Sequence, residues 1–376
     1  MQNDANGLAI LAAEVNWTGE EPRLFRSTVN YAKLAALGRP VSLVLRIGPF
    51  TGSFAAEDKP ARYLADLGLS LLKAARTGGL EPAELQLDFD CASSKLAGYR
   101  SWIEALRTAS TPTKITFTAL PDWLGRDTFV ALAGAADGYV LQVHSLEKPA
   151  GPDEIYKLCD PDRAWSWIQR AGRIGIPFRV ALPTYGYRMA FDRSGKFIAL
   201  EAEGARRVRP EGTQVRTVRT DAASVTTLAR KLALIETAGC TGVIWFRLPV
   251  LGDQLNWDIT TLKVALQGTL PASRLEAKAN WTSPGLVEVS VVNCGEQDEP
   301  LPSKILAQWT DGGDLQSGDG LGGYTPAFDQ IRLGRVALTT TPIAAEDRIP
   351  PGRSRKIAWL RFSHETFLNL QIVASP

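Results

Sequence analysis

The sequence predicts a TIM-type (β/α) barrel, with seven strands countable and the first one missing, followed by an all-β sandwich. Three observations carry this. The first 268 residues alternate short apolar runs with helical patterns, which indicates parallel βαβ units. Polar and aromatic residues gather where those apolar runs end. Helical periodicity is absent from Ser273 onward.

The elements follow in order. Leu8 to Val15 reads as a buried strand, Leu24 to Leu37 as an amphipathic helix, and Val41 to Ile47 as a second strand. Pro60 to Ala75 sets Leu64, Leu67, Leu71 and Leu72 on one helical face. Glu84 to Phe89 is a third strand, followed by a helix from about Lys95 to Arg107. Strands at Ile115 to Leu120, Gly138 to Val143, Pro177 to Leu182 and Gly242 to Leu248 continue the series. Helices at Asp127 to Ala135, Asp162 to Gly172, Ala222 to Ala238 and Asp258 to Leu266 follow them. A closed barrel has eight strands, so the first is truncated or replaced. A doubly wound sheet is disfavoured, because no Gly-rich turn opens a helix after the first strand.

About forty residues separate Leu182 from the helix near Ala222, and long insertions in compact domains are usually functional. Tyr187 to Phe191, then Asp192-Arg193-Ser194-Gly195, then Lys196 to Leu200 read as a hairpin within a β-rich insertion at about 187–220, walling one side of a barrel mouth. The barrel domain is placed at 1–270 and an immunoglobulin-like accessory domain at 271–376. There Val287 to Asn293 alternates as a half-buried strand, and Ile305 to Trp309, Ile331 to Leu338, Ile357 to Phe362 and Leu368 to Val373 are further strands.

Composition narrows the function. The chain has 376 residues, 45% apolar and 22% charged, as in an ordinary globular protein. A net charge of +2 argues against nucleic acid as partner. Arg206, Arg207, Arg209, Arg216 and Arg219 form a local basic run, read as a solvated face or as contact with an anionic ligand. Cys91, Cys159, Cys240 and Cys294 lack metal or redox spacing, and two histidines exclude a histidine-rich metal site. No apolar run of about 18 residues occurs, so no membrane span is expected. Residues 1–7 are polar and read as no signal peptide, or as a cut end. The compartment stays open, with a periplasmic or secreted placement favoured over the cytoplasm. Oligomeric state is not legible.

Active sites of parallel barrels lie at the C-terminal strand ends. Those ends offer Glu14, Arg46, Asp88 with Asp90, Asp122 with Trp123, Gln142 with His144, Tyr185 with Tyr187, and Trp245 with Arg247. Aromatic faces with carboxylates fit a sugar site. Asp88 and Asp90 are two apart and so share one strand face. Two close carboxylates there push their pKa values apart, leaving one protonated near neutrality. A protonated acid beside an ionised partner is what glycosidic cleavage needs. Two other readings remain: a strand-end pair bonded to Arg46 or to backbone amides, and an Mg²⁺ or Ca²⁺ site. His144 reads either as a hydrogen-bonded core histidine or as an acid–base partner facing Asp90. Tyr185, Tyr187 and Trp245 read as core or as stacking faces.

Ala83 to Asp90 resembles the strand-four signature of family 18 glycoside hydrolases, the chitinase-like barrels. In it, alternating acidic residues end in a catalytic Glu. The resemblance puts Asp88 on the acidic position before the acid and Asp90 on the acid itself. Leu182 to Tyr187 resembles that family's seventh strand, and Gly242 to Phe246 its eighth, where Trp245 would floor the sugar site. Gln142 to Ser145 falls on the sixth. Three positions depart: Asp90 replaces Glu, Gln86 an Asp, and His144 a Tyr. The shorter acid sits about 1.5 Å back, a displacement that costs about 10²-fold in a fixed geometry. Leu85 to Cys91 with Ser94-Lys95-Leu96 and Tyr99, Thr118 to Pro121 and Leu141 to His144 resemble more closely a bacterial family of unknown function, domain 3142.

The resemblance implies a glycan-acting hydrolase on polysaccharide or oligosaccharide, with no cofactor or metal. Asp90 would be the general acid, Asp88 its partner, and His144 a positioning or proton-sharing group. Glu14, Arg46, Trp123, Gln142, Tyr185, Tyr187, Trp245 and Arg247 would contact substrate. A non-catalytic glycan-binding protein and an envelope scaffold are the alternatives.

Overall fold

The computed structural model describes residues 5–18, 21–52, 54, 58–145, 149–202, 209–250, 252–310, 312–328, 330–340 and 347–373. Arg206 and Arg207 of the basic run lie outside them. The chain divides into two compact units, Met1–Leu248 with Asp253–Leu255, and Pro249–Gly252 with Asn256–Pro376.

The first unit opens with β1 (Leu8–Thr18), β2 (Glu21–Arg26), α1 (Tyr31–Ala35), β3 (Val41–Ile47) and α2 (Lys59–Thr77). β4 (Glu84–Phe89), α3 (Leu96–Ser110), β5 (Lys114–Ala119), α4 (Asp127–Ala135), β6 (Tyr139–Gln142), α5 (Pro161–Gly172) and β7 (Phe178–Pro183) follow. After β8 (Gly186–Phe191), β9 (Phe197–Glu201) and β10 (Gln214–Arg219) come α6 (Ala222–Leu234) and β11 (Cys240–Phe246). The result is a mixed α/β fold on a parallel sheet, in the order β11-β7-β6-β5-β4-β3-β1-β2. Only β2 runs antiparallel, against β1. Among the described residues no ladder joins β11 to β2.

The helices start where local chemistry caps them. Asp160 accepts from the amides of Asp162 and Arg163 before Pro161 opens α5, and Asp221 accepts from Ser224 before α6. Helical spacing then buries Leu64, Leu67, Leu71 and Leu72 of α2, and Tyr99, Trp102, Ile103 and Leu106 of α3. One sheet face meets these helices. Leu85 lies so near Leu106 of α3 that a Cβ on Gly68 of α2 would fall 2.6 Å from Leu106 and 3.0 Å from Leu85.

The opposite face is polar. Strand alternation places Ser42 and Arg46, and Glu84, Gln86 and Asp88, on that one side. Glu84 accepts from Ser42 at 2.9 Å and pairs with Arg179 of β7. β4 and β7 are three strand steps apart, about 14 Å in a flat sheet. Side chains that meet across that span show that the sheet curls strongly about its polar face.

The segment read as one helix from Leu24 to Leu37 is a strand and a single short helix. Pairing with β1 takes residues 21–26 into an edge strand, whose Leu24 and Phe25 stay exposed. Helical α1 buries none of its side chains. The insertion forms its own antiparallel sheet, β10-β8-β9. Its β8–β9 turn is held by Asp192, which accepts from the amides of Ser194 and Lys196 at 2.9 and 3.0 Å, and by Gly195 at φ +81°.

The second unit holds α7 (Ile259–Leu266), then β12 (Leu275–Ser283), β13 (Leu286–Asn293), β14 (Glu299–Pro300), β15 (Lys304–Trp309) and β16 (Leu315–Gly320). β17 (Tyr324–Ala327), β18 (Arg335–Thr340), β19 (Arg348–Ile349), β20 (Ser354–Phe362) and β21 (Leu368–Val373) complete it. The run read as a strand from Ile331 begins instead as a 3₁₀ turn, Ile331–Leu333, closed by Gly334 at φ +64°. Two four-stranded antiparallel sheets, β12-β13-β20-β16 and β17-β18-β15-β21, share one core. Val287, Val289, Val291, Ile357 and Leu360 come from the first, and Ile305, Ala307, Val336 and Leu338 from the second.

Candidate functional site

Register builds the site. Glu14 of β1 pairs laterally with Arg46 of β3, and Arg46 with Asp88 of β4. Laterally paired residues of parallel strands point the same way, so these three form one row on the polar face at the strands' C-terminal ends. Arg46 Nε donates to Asp88 Oδ2 at 2.9 Å, with both side chains partly buried. Glu14 accepts from Asn16 Nδ2 at 2.7 Å. Gly48 permits this, since a Cβ there would fall 1.9 Å from Asn16 Oδ1. One layer below, Gln86 donates to Thr118 Oγ1 at 3.0 Å.

Asp90 follows directly on β4. It retains solvent access on one side, while the protein crowds the rest. Although the residue is exposed, desolvation of the carboxyl by the protein around it, reinforced by the charge of Asp88, raises it to about 6 against the opposing pull of Arg46. Among the described residues Asp90 has no hydrogen-bond partner, so its proton is free to be given away. Cys91 beside it is buried and pushed up to about 12 by desolvation and by Asp90. Lys95 donates to the Phe50 carbonyl at 3.1 Å and lies 5.0 Å from the Phe54 ring centroid. An aromatic stack backs the site: Phe54 on Trp102 at 4.5 Å, and Phe89 on Trp102 at 5.6 Å.

A second polar group forms at the ends of β6, β7 and β8. His144 Nδ1 and the Tyr185 hydroxyl are 3.2 Å apart, Tyr185 and Tyr187 hydroxyls 3.0 Å, and Tyr187 also bonds Ser145. His144 is 3% exposed, and its ring stacks on Phe246 with centroids 5.8 Å apart. Burial lowers His144 to about 3, so it is neutral near pH 7, and its Nε2 has no partner among the described residues. Burial also pushes the Tyr185 hydroxyl far up.

Several expectations change here. His144 is bonded to Tyr185 and not to Asp90, and as a neutral ring so hard to protonate it is no proton-sharing partner. Trp123 is 0% exposed against Phe129, so neither ring face is open to a sugar. Tyr185 and Tyr187 are 3% and 6% exposed, and the Arg247 guanidinium covers the Tyr185 ring at 5.5 Å. Arg247 also pairs with Asp253. Gln142 donates to the His144 carbonyl at 3.1 Å. Trp245 does not floor a sugar site on the polar face: it pairs laterally with Leu182, while Gly242 and Phe246 pair with Arg179 and Pro183, so Phe246 and not Trp245 shares the face of Arg179 and Glu84. The structure therefore brings together Glu14, Arg46, Asp88 and Asp90, and separately His144, Gln142, Tyr185 and Tyr187. The sequence reading missed Asn16, Lys95, Ser145 and Asp253. Asn16 was signalled by its place two residues beyond Glu14, on the same strand face. Ser145, at φ +59°, carried no such signal.

Among the described residues no three His, Cys, Asp or Glu side chains gather to hold a metal ion. No described helix is long and apolar enough to cross a membrane. In the basic run, Arg209 pairs with Glu201, and Arg216 donates to the carbonyls of Pro152 and Glu154.

The profile of a family described as Domain of unknown function (DUF3142) matches residues 37–251. No curated protein matches the chain. Among solved structures, the chain is similar to the spore cortex-lytic enzyme SleL of Bacillus cereus, at 13% identity and TM-score 0.48, over 72% of this chain and 68% of that one. It is similar to a chitinase from Chromobacterium violaceum ATCC 12472, at 16% identity and TM-score 0.47, over 70% and 90%. A third is the GH18 chitinase ChiB of Flavobacterium johnsoniae, at 12% identity and TM-score 0.44, over 70% and 86%.

Proposed function

The chain belongs to the DUF3142 family, and we propose that it is a glycan-acting hydrolase with Asp90 as general acid and Asp88 as its ionised partner. The observation that supports this most is the state of Asp90. A carboxyl at a strand end, without a hydrogen-bond partner among the described residues and raised to about 6, is protonated in part near neutral pH and reachable from solvent. In the reaction, Asp90 gives its proton to the leaving oxygen as the glycosidic C–O bond breaks. Water supplies the hydroxyl that forms the new bond at the sugar carbon and returns a proton to solvent. The charge of Asp88 lies close to the carbon that becomes cationic.

The curled sheet is the wall of a (β/α)-barrel one parallel strand short of eight. The paired sheets of the second unit serve as an accessory, carbohydrate-binding sandwich. A polysaccharide substrate fits a periplasmic or secreted placement.

The test is a screen of bacterial polysaccharides for new reducing ends, run on the native chain and on Asp90→Asn. Loss of a general acid should lower turnover by about 10²–10⁴-fold while the chain stays folded. An unchanged rate in the variant would overturn the assignment. Oligosaccharide binding with no new reducing ends from the native chain would point to a glycan-binding protein without turnover.

A further inference from the structure

We propose that Arg46 is the positioning residue of this site: it holds the Asp88 side chain turned toward β3 and sets a permanent positive charge close to the Asp90 carboxyl. The inference rests on the hydrolase reading and deepens it, by naming what sets the pH range in which the acid works.

The geometry is specific. Arg46 stands between Glu14 and Asp88 in one lateral row, on the same sheet face as both. Its Nε, not a mobile ammonium, donates to Asp88 Oδ2 at 2.9 Å. A guanidinium stays charged at every accessible pH and is fixed in plane, so it fixes the carboxylate's rotation. On the far side of Arg46, Glu14 is engaged by Asn16. Without Arg46, the rotation of Asp88 is no longer set, and no guanidinium charge opposes the rise at Asp90. With it, the Asp88 side chain is fixed in place, and the guanidinium opposes the rise that Asp88 and desolvation impose on Asp90.

The groups around Asp90 leave Arg46 as the one to vary. From its own segment it meets Asp88 and Cys91, whose thiol stays protonated. The helix behind β4 presents Tyr99, which burial keeps as the phenol. Lys95, on the turn before that helix, is engaged with Phe50 and Phe54. Asp122 faces this region from the segment after β5.

The experiment is a carboxyl ¹³C NMR titration of the native chain, Arg46→Met, Arg46→Gln and Arg46→Lys, with Asp90→Asn to assign the Asp90 signal. In the native chain one aspartate should titrate near 6. In Arg46→Met and Arg46→Gln its midpoint should rise by about one unit. Arg46→Lys, which keeps the charge, should stay near the native midpoint. With a cleavable glycan, the alkaline limb of kcat should move by the same amount, while KM changes by less than about threefold. An unmoved or lowered Asp90 midpoint in both uncharged variants overturns the proposal. So does a large rise in KM with the pH limb fixed, since Arg46 would then be binding substrate. The titration needs no substrate. If Asp90→Asn leaves glycan cleavage unchanged, the hydrolase reading falls, and the Arg46 result is still decided by the spectra.

Discussion

Asp90 keeps its proton to about pH 6 because desolvation and the neighbouring Asp88 charge together outweigh Arg46. An unfolded aspartate releases its proton near 3.9. Between those values the folded state binds more protons than the unfolded one. Stability therefore falls as pH rises through that window, and the cost persists above it. Asp90→Asn removes the cost, so the variant should melt higher than the native chain at pH 7.5, and the gap should close by pH 4. Thermal melts at the two pH values check this; a variant that melts lower at pH 7.5 would contradict it. The sign at His144 is opposite. Its folded value near 3 lies below the free value of about 6.5, so it contributes stability above 6.5 that is lost as pH falls toward 3. The adjacency of Asp88 and Asp90 was legible from their spacing of two, because strand alternation is local geometry. The burial that makes His144 a neutral core ring was not, because it depends on Phe246 and Tyr185 arriving from other strands.

At the scale of the element, the segment after β3 is seated by a glycine on α3. A Cβ at Gly98 would lie 2.0 Å from the Cβ of Phe54, whose ring stacks on Trp102. Gly98→Ala should therefore push Phe54 off that stack and cost about 1–3 kcal/mol, read from the urea midpoint. In a Phe54→Gly background, which lacks that Cβ, the same substitution should cost clearly less. Equal costs in the two backgrounds would mean that Phe54 is not what Gly98 makes room for. Helices with a capping aspartate, such as α5 and α6, were readable because cap and apolar spacing are contiguous in sequence. Residues 24–37 were misread because Leu24 and Phe25 carry an apolar signal that suits either period. Pairing with β1, a tertiary event, made them strand.

For the whole molecule, the division of the chain assigns α7 to the second unit. There Thr261 Oγ1 donates to the Glu296 carbonyl at 2.8 Å. Composition alone changes at Pro271, after that helix. A fragment from Asn256 to Pro376 should consequently melt higher than one from Pro271 to Pro376. Equal melting temperatures would show that α7 adds nothing to the unit's stability. The sequence by itself determined the α/β alternation, the change to antiparallel strands and the carboxylates at the end of β4, because period and spacing are properties of neighbours along the chain. Only the tertiary structure decided which strand-end residues work together. Lateral register set Arg46 between Glu14 and Asp88, and burial closed Trp123, Tyr185 and Tyr187 to solvent. Both depend on segments tens of residues apart meeting in space, where charge and desolvation act through distance and not through sequence.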